Sequence, residues 1–303
     1  MGRRKMRVVI SDAYAACRRL ARHYENFPVA SRLVPGGKRD ALAAIYAFAR
    51  VADDYADQPG RGGPTAESRL EALAAWREKL IRCFAGEASD PIFIALADTA
   101  KKYNLSRKHF EDLLCAFEMD VRVSRHADFD SVLNYCSYSA NPVGRLVMEL
   151  FGHHDAALFG LADSLTTALQ LTNFWQDVAH DLDRDRVYLP TEDLRQFDLS
   201  VERLKILQGA PGDESEGWGR WQSLMSFEIA RTRKLFEQGW PLTEKAVPEL
   251  RRQLRLTWLG GVTILSRIEA ARFDVFRHRP KLSALDFARL YFRSGRKLKV
   301  ISD

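Results

Sequence analysis

The sequence predicts an all-α protein that forms a single domain over residues 1–303. Apolar residues recur at helical spacing along nearly the whole chain, and no segment shows the alternation of apolar and polar residues that several paired strands would need. The chain also contains only 11 prolines and 18 glycines, which favours long helices over a fold with many turns. No predicted strand runs into a glycine-rich phosphate loop, so nucleotide-binding α/β folds are disfavoured.

About ten helices are expected, and local signals place several of their ends. Asp90 followed by Pro91 starts one helix, and Ser106 starts the next. Residues 58–68 and 208–217 are rich in glycine, proline and polar residues and are predicted to be loops. The predicted helices cover residues 11–24, 38–58, 67–85, 91–102, 106–124, 129–151, 155–182, 218–238, 246–277 and 283–293.

The composition is that of a folded globular protein with a mild basic excess. Hydrophobic residues make up 46% of the sequence and charged residues 28%, which excludes a disordered chain. The 46 Lys and Arg residues against 40 Asp and Glu give a net charge of +6. This charge suits anionic small molecules, anionic lipid or nucleic acid alike.

Cysteine spacing and hydropathy favour a cytoplasmic protein. The cysteines Cys17, Cys83, Cys115 and Cys136 are far apart and show no C-x-x-C spacing, which is typical of reduced core residues. The apolar run near the start of the chain ends at Asp12, too early for a signal peptide. No stretch approaches the ~18 apolar residues that a membrane-spanning helix needs.

A first acidic helix is predicted where residues 45–57 read IYAFARVADDYAD. Tyr46, Arg50, Asp53 and Asp57 fall within about 60° of one another around this helix, beside its apolar side. The carboxylates therefore lie at the edge of the core and not on the opposite, solvated face. Acidic pairs with this spacing are also common on ordinary surfaces, so the pair alone leaves its role open.

A second polar face is predicted in the long helix over residues 155–182. Gln170, Asn173, Asp177 and Asp181 share a face about 80° wide, between large apolar neighbours. Burying four polar side chains among such neighbours is costly unless they have partners. The alternative is a polar seam that faces solvent.

Together, the two acidic helices point to a metal ion and an anionic substrate. Clustered carboxylates repel one another unless cations neutralise them, and oxygen ligands favour Mg²⁺, with Mn²⁺ as a substitute. Mg²⁺ in proteins usually binds substrate phosphate as well, which makes a diphosphate the expected substrate group. Arg50, Arg184 and Arg186 lie near the acidic residues, where they can bind that diphosphate or simply pair with the aspartates.

These motifs resemble those of the squalene and phytoene synthases. DDYAD at 53–57 is similar to the first D-x-x-x-D of that family, and QLTNFWQDVAHD at 170–181 is similar to its second motif. DRDRVYLP at 183–190 and NYCSYSANPVGRL at 134–146 resemble two further blocks, and the similarity runs in order over roughly residues 10–290. The resemblance implies the isoprenoid synthase fold, in which the two Asp-rich helices face a central cavity.

The resemblance also implies roles for individual residues. Tyr135 would lie in the cavity near the leaving group, beside the catalytic aspartates, and Arg279 is a loose match to a distal phosphate-binding arginine. The implied ligands of Mg²⁺ are Asp53, Asp57, Asn173, Asp177 and Asp181. The implied substrate-binding residues are Asn26, Phe27, Tyr46, Arg50, Gln170, Asn173, Arg186 and Tyr188.

Two short blocks resemble one branch of the family, the hydroxysqualene synthases of bacterial hopanoid biosynthesis. HYENFPVASRLVP at 23–35 carries Asn26 and Phe27, and SANPVG at 139–144 carries Asn141 and Pro142, where most members differ. The branch implies presqualene diphosphate as the substrate, capture of the resulting cation by water, and no use of NADPH.

Other functions remain open at this point. Presqualene diphosphate, dehydrosqualene and phytoene synthases share the acidic motifs, and assembly factors on the same fold are not enzymes, although they typically lose the aspartates kept here. The basic segment RSGRKLKV at 293–300 suits peripheral contact with the inner membrane. It contains no known nucleic-acid-binding module, so no nucleic-acid partner is expected.

Overall fold

The computed structural model describes residues 3–21, 34–57, 63–210, 212 and 216–295. That part of the chain contains fifteen α-helices and no strand, and an isolated bridge joins Arg125 to Val187. The prediction of an all-α fold is therefore confirmed. Among the described residues, no helix is both long and apolar enough to cross a membrane.

Contacts within the chain divide it into two compact units. Unit 1 comprises Met1–Arg122 and Pro142–Phe159, and unit 2 comprises Val123–Asn141 and Gly160–Asp303. A single domain that includes both units stays a prediction. The helices of unit 1 are α1 (Arg3–Ala21), α2 (Gly36–Ala56), α3 (Ala66–Phe84), α4 (Pro91–Tyr103), α5 (Arg107–Arg122) and α7 (Asn141–Leu150). Only the first residue of α7 lies outside this unit.

The core of unit 1 forms around the ring of Phe48 on α2. This ring stacks on Trp76 with 6.0 Å between the centroids and meets Phe110 edge-on at 5.3 Å. The indole N–H of Trp76 donates to the carbonyl oxygen of Phe48 at 3.3 Å. Residues 41–48 are all buried, so the middle of α2 is enclosed on every side. From Arg50 onward, the polar side chains of α2 are half-buried, whereas Ala52 and Ala56 stay buried, so one side of this end remains in the core.

Unit 2 contains α6 and most of α8 together with the remaining helices of the chain. Its helices are α6 (Phe129–Ser139), α8 (Ala156–Gln176), α9 (Val178–Asp183), α10 (Thr191–Gln196), α11 (Val201–Gly209), α12 (Trp218–Gly239), α13 (Leu242–Lys245), α14 (Pro248–Ala270) and α15 (Ala284–Ser294). The Trp175 indole N–H on α8 donates to the Thr232 hydroxyl on α12 at 2.8 Å. A Cβ at Gly239 would lie 2.8 Å from the backbone nitrogen of Leu165, so only glycine lets α12 end this close to α8.

A buried ionic cluster joins α10 to α12 in unit 2. The guanidinium of Arg231 donates to Glu228 at 2.6 Å and to Asp193 at 2.5 Å, and it lies 3.6 Å from the centroid of the Phe129 ring. Burial raises the pKa of Glu228 to about 8; Arg231 opposes this rise and the carboxylate of Asp193 adds to it. Because one guanidinium lies between two buried carboxylates, the cluster favours a bound proton on the Glu228 carboxyl group.

Several predicted helix boundaries are wrong for identifiable reasons. The helix predicted over 129–151 is divided into α6 and α7, since Pro142 lacks the N–H that a continuous helix needs. α14 ends at Ala270 and not at residue 277, and α1 begins eight residues before the predicted start at 11. The short helices α10 and α11 were not predicted because six and nine residues contain too few turns to show a period.

Candidate active site

The first acidic end, formed by Asp53 and Asp57, lies at the C-terminus of α2. The Asp57 N–H caps the helix by donating to the Asp53 carbonyl oxygen at 2.8 Å. Arg50 donates to the Asp53 carboxylate at 3.2 Å and to that of Asp54 at 2.5 Å. A helix C-terminus carries partial negative charge, so carboxylates placed there favour a nearby cation. Arg50 supplies that cation from the preceding turn, whereas Tyr46, one turn earlier, is buried.

The second acidic end, formed by Asn173, Asp177 and Asp181, lies where α8 meets α9. The prediction of one uninterrupted helix is wrong here: α8 ends at Gln176, and Asp177 has φ −107° and ψ 12°. The Asp177 N–H nevertheless donates to the Asn173 carbonyl at 2.9 Å, and the Asp181 N–H donates to the Asp177 carbonyl at 2.9 Å. These bonds keep the helical spacing through the interruption, which is why the sequence period does not reveal it.

A segment far along the chain supplies the cation at the second acidic end. The Asp177 carboxylate accepts a two-pronged contact from Arg279, whose Nη2 donates to Oδ2 at 2.9 Å and whose Nε donates to Oδ1. The adjacent Gln176 side chain donates to the carbonyl oxygen of Pro280. The loose sequence match of Arg279 did not predict this contact, because no local pattern links residues 102 positions apart.

A turn after α9 places Arg186 next to the second acidic end. The Arg186 backbone N–H donates to the Asp181 carbonyl oxygen at 2.8 Å, and Asp185 adopts a left-handed backbone with φ 56°. Arg125 holds this turn by donating to the Asp185 carboxylate at 2.6 Å, and the Val187 N–H donates to the Ser124 carbonyl oxygen at 3.0 Å. The backbone of Arg186 is thus fixed next to Asp181, and its role in binding substrate stays a prediction.

An aromatic cluster adjoins these charges within unit 2. Tyr188 stacks flat on Phe174, with 3.7 Å between the ring centroids and 5° between the planes. Buried Tyr135 contacts both rings, at 5.7 Å from Tyr188 and 6.0 Å from Phe174. A cleft is lined by Phe174 and Tyr188 together with Asp181 and Arg186. Aromatic rings and charged side chains therefore lie next to one another in this part of unit 2.

One member of this cluster was missed by the sequence reasoning. His126 is buried, stacks on Tyr188 at 5.6 Å and meets Tyr135 edge-on at 5.7 Å. Burial lowers the pKa of His126, which favours the neutral ring. Its backbone carbonyl accepts from the Thr191 N–H at 2.9 Å and from the Thr191 hydroxyl at 2.8 Å. No motif marks His126, because its position depends on a loop contact and not on helical spacing.

The structure describes some of the other predicted site residues. Gln170 is half-buried on α8, one turn before Asn173, whereas Asn26 and Phe27 lie outside the described residues. Asn141 is buried at the start of α7, where its side-chain oxygen accepts from the hydroxyls of Thr166 at 3.1 Å and Thr167 at 2.9 Å. This amide is therefore held in one orientation.

The donor chemistry of both acidic ends fits Mg²⁺. The side chains are half-buried carboxylates and an amide, and each end already holds an arginine as a positive partner. Among the described residues, no three His, Cys, Asp or Glu side chains form a ready-made metal-binding group. The two ends belong to different units, and the predicted arrangement in which they face one cavity stays a prediction.

The helical fold and its two aspartate-bearing helix ends are typical of enzymes that act on prenyl diphosphates. The chain belongs to the squalene/phytoene synthase family, whose model matches residues 20–286. This is a family of head-to-head prenyltransferases that bind prenyl diphosphates and use a divalent metal.

The chain is similar to curated phytoene synthases and to solved structures of related enzymes. It is 33% identical to the 15-cis-phytoene synthase of Synechococcus elongatus over 89% of this chain and 88% of that protein. It is 37% identical to the squalene synthase HpnC of Alicyclobacillus acidocaldarius, with a TM-score of 0.79 over 88% of this chain and 96% of the other. A dehydrosqualene synthase at 21% identity shares the fold, with a TM-score of 0.81 over 94% and 96% of the two chains.

Proposed function

We propose that the chain is a hydroxysqualene synthase that converts presqualene diphosphate and water to hydroxysqualene and diphosphate without NADPH. The observation that carries this proposal is the resemblance of the blocks at 23–35 and 139–144 to the hydroxysqualene synthases. The 37% identity to the squalene synthase HpnC of Alicyclobacillus acidocaldarius, over 88% of this chain, supports a substrate on the way to squalene. The SANPVG block supports the same branch. It places Asn141, which is buried and accepts two hydrogen bonds through its side-chain oxygen, before Pro142.

The two acidic ends would hold Mg²⁺ through Asp53 and Asp57 at one end and Asn173, Asp177 and Asp181 at the other. When bound, Mg²⁺ would neutralise the negative charge that develops on the departing diphosphate. Arg50 lies next to the first acidic end, and Arg186 and Arg279 lie next to the second, where they would bind phosphate oxygens. Charge from these groups favours breakage of the carbon–oxygen bond, with the electron pair leaving on diphosphate.

The aromatic cluster would stabilise the carbocation that remains. The rings of Tyr135, Phe174 and Tyr188 pack against one another beside Asp181 and Arg186, and their π electrons would attract positive charge without reacting with it. Tyr188 lines the cleft that contains Arg186, where its hydroxyl would donate to the leaving diphosphate. The His126 ring packs against both tyrosines. The cation rearranges, a water oxygen forms the new bond, and that water loses a proton.

We also place the enzyme in the cytoplasm. Cys17, Cys83 and Cys136 are buried free thiols, and burial raises their pKa values to about 11, 11 and 12. Thiols with such pKa values are poor nucleophiles and behave as core residues, which suits a reducing compartment.

A second candidate function is the condensation of two prenyl diphosphates, as in a phytoene synthase. It is favoured by the similarity to the Synechococcus elongatus enzyme, which covers 89% of this chain. The acidic ends serve both reactions equally well, so the products must discriminate between them.

The experiment is product analysis with purified protein, Mg²⁺ and presqualene diphosphate, without NADPH. We expect one C30 alcohol, which carries ¹⁸O when the reaction runs in ¹⁸O-water because the substrate's own oxygen leaves with diphosphate. Addition of NADPH should not change the product. Formation of squalene with NADPH would identify a squalene synthase instead. Consumption of farnesyl or geranylgeranyl diphosphate, with no use of presqualene diphosphate, would identify a condensing enzyme.

A further inference from the structure

The turn segment, residues 184–191, carries two residues of the cleft at the second acidic end, Arg186 and Tyr188. The Thr191 N–H, at the end of this segment, donates to the carbonyl oxygen of His126 at 2.9 Å. Backbone bonds of this kind fix the turn segment to the segment that carries His126. Their joint position in unit 2 therefore depends on contacts with other helices.

Arg231 on α12 contacts the helix that follows each of these two segments. Its guanidinium donates to the carboxylate of Asp193, in the first turn of α10, at 2.5 Å. It also lies 3.6 Å from the ring centroid of Phe129, the first residue of α6. Glu228 accepts from the same guanidinium at 2.7 and 2.6 Å, and this two-pronged pair fixes its orientation. Arg231 therefore holds the starts of α6 and α10 together.

The connection from Asp193 back to the cleft is short and stiff. Four residues separate Asp193 from Tyr188 along the chain. Two of them, Leu189 and Pro190, are buried, and Pro190 has φ −58°, an angle that its ring holds almost constant. A displacement of α10 is therefore expected to move the side chain of Tyr188.

The same turn of α12 also holds the other half of the aromatic stack. Thr232, next to Arg231, accepts from the indole N–H of Trp175 at 2.8 Å. Trp175 directly follows Phe174 on α8, and Phe174 is the ring on which Tyr188 stacks. Both rings of the stack are thus connected to one turn of α12.

We propose that Arg231 is a positioning residue, which acts through Asp193 and Phe129 to hold the turn segment where Arg186 and Tyr188 together bind the diphosphate of the substrate. Arg231 does not line the cleft, so it acts through this segment and not on the substrate. A buried ion cluster adds little net stability, because lost hydration opposes the attraction between the charges. The inference rests on the proposed function, in which this cleft binds diphosphate.

The test is isothermal titration calorimetry of the full chain with inorganic diphosphate in the presence of Mg²⁺. Asp193→Asn removes the charge that Arg231 binds and keeps the size of the side chain. It should raise the dissociation constant of diphosphate about fivefold, and Arg186→Ala should raise it about tenfold. The double variant should raise it about 15-fold, against about 50-fold for independent losses, because the turn segment would no longer have the Arg186 side chain to position.

Glu269→Gln is the matched control, since Glu269 accepts from Arg233 on α12 at 2.5 Å but joins α12 to α14 and not to α10. It should leave the dissociation constant unchanged, and thermal unfolding should show that every variant is folded. Arg231→Lys is a second variant, which keeps the positive charge but loses the planar fork, and it should weaken binding about threefold.

Amide hydrogen exchange measures the hold on the turn segment without any ligand. Exchange over residues 185–192 should be faster in Asp193→Asn and Arg231→Lys, but not in Glu269→Gln. Unchanged diphosphate affinity in both of the first two variants, or a loss of about 50-fold in the double variant, would overturn the proposal. Unchanged affinity in Arg186→Ala would instead overturn the role of the cleft in the proposed function, and the exchange rates would still decide whether Arg231 holds the segment.

Discussion

The two acidic ends place similar carboxylates at the C-termini of two 21-residue helices, but they obtain their positive partners differently. Arg50 pairs with Asp53 and Asp54 from within α2, at spacings of three and four residues. Arg279 reaches Asp177 from a segment 102 residues away. The first pair needs only a helix to form, whereas the second needs the folded unit 2. Similar motif chemistry can therefore depend on local structure at one end and on tertiary structure at the other.

The largest effect is expected when either acidic end loses a carboxylate. Asp53→Asn and Asp177→Asn should each lower turnover by about 100-fold, because each removes a metal ligand at the step where charge develops on the leaving group. Turnover at limiting Mg²⁺ measures this loss, and circular dichroism checks the helical fold. If the two ends share the chemistry equally, the two losses are similar.

The neighbouring acids Asp54 and Asp183 provide matched controls for this comparison. Asp54 pairs with Arg50, and Asp183 accepts from Gln208 at 2.8 Å, but neither belongs to an acidic end as defined by the motifs. Asp54→Asn and Asp183→Asn should keep turnover within about threefold. A large loss in these controls with little loss in Asp53→Asn or Asp177→Asn would contradict the assignment of ligands.

A buried acid of unit 2 should affect stability and not turnover, in contrast to the acidic ends. Glu228 has a pKa of about 8 in the folded protein against an ordinary value of 4.5, so the folded state binds the extra proton between these pH values. The free energy of unfolding should therefore fall as pH rises from 4.5 to 8, by at most about 1.4 kcal/mol per pH unit. Glu228→Gln should remove this contribution.

Urea unfolding at pH 6, 7 and 8 measures the slope for the unchanged chain and for Glu228→Gln. The exposed Glu216, which pairs with Arg203 at 3.1 Å, provides the control variant Glu216→Gln. Equal slopes for the unchanged chain and for Glu228→Gln would show that Glu228 folds in its ionised form.

Diphosphate binding distinguishes an arginine at the second acidic end from a distant one. Arg186→Ala should raise the inhibition constant of inorganic diphosphate about tenfold, because Arg186 lines the same cleft as Asp181. Arg293→Ala, on the exposed side of α15, should change this constant less than twofold. Similar shifts in both variants would mean that the arginines act only through the general positive charge of the chain.

The smallest effect is expected from the two arginine partners themselves. Arg279→Gln should lower the free energy of unfolding by about 1 kcal/mol, since it breaks a two-pronged, partly exposed ion pair. Arg50→Gln should cost about 0.5 kcal/mol or less, as is usual for ion pairs within one helix. Urea unfolding gives both values. Faster amide exchange over residues 272–280 in Arg279→Gln alone would confirm that only this pair holds a distant segment.

The SANPVG block at 139–144 shows how much can be predicted from sequence alone. Pro142 ends α6 by its missing N–H, a property of the residue itself, yet the helix predicted over 129–151 ignored it. The two hydroxyls that bond Asn141 come from α8, 25 and 26 residues further on, and no local pattern predicts them. His126 was missed for a similar reason, because its ring is positioned by the aromatic residues Tyr135 and Tyr188.

The sequence by itself determined the helical class, the family and the spacing of both acidic ends. These properties depend on the 3.6-residue period and on residues within one or two turns of each other, so they can be recognised without coordinates. Tertiary structure alone decided the partner of Asp177, the Phe174–Tyr188 stack and the enclosure of Glu228 by Arg231 and α10. Such contacts join segments whose separation along the chain carries no period, and they form only when packing brings those segments together.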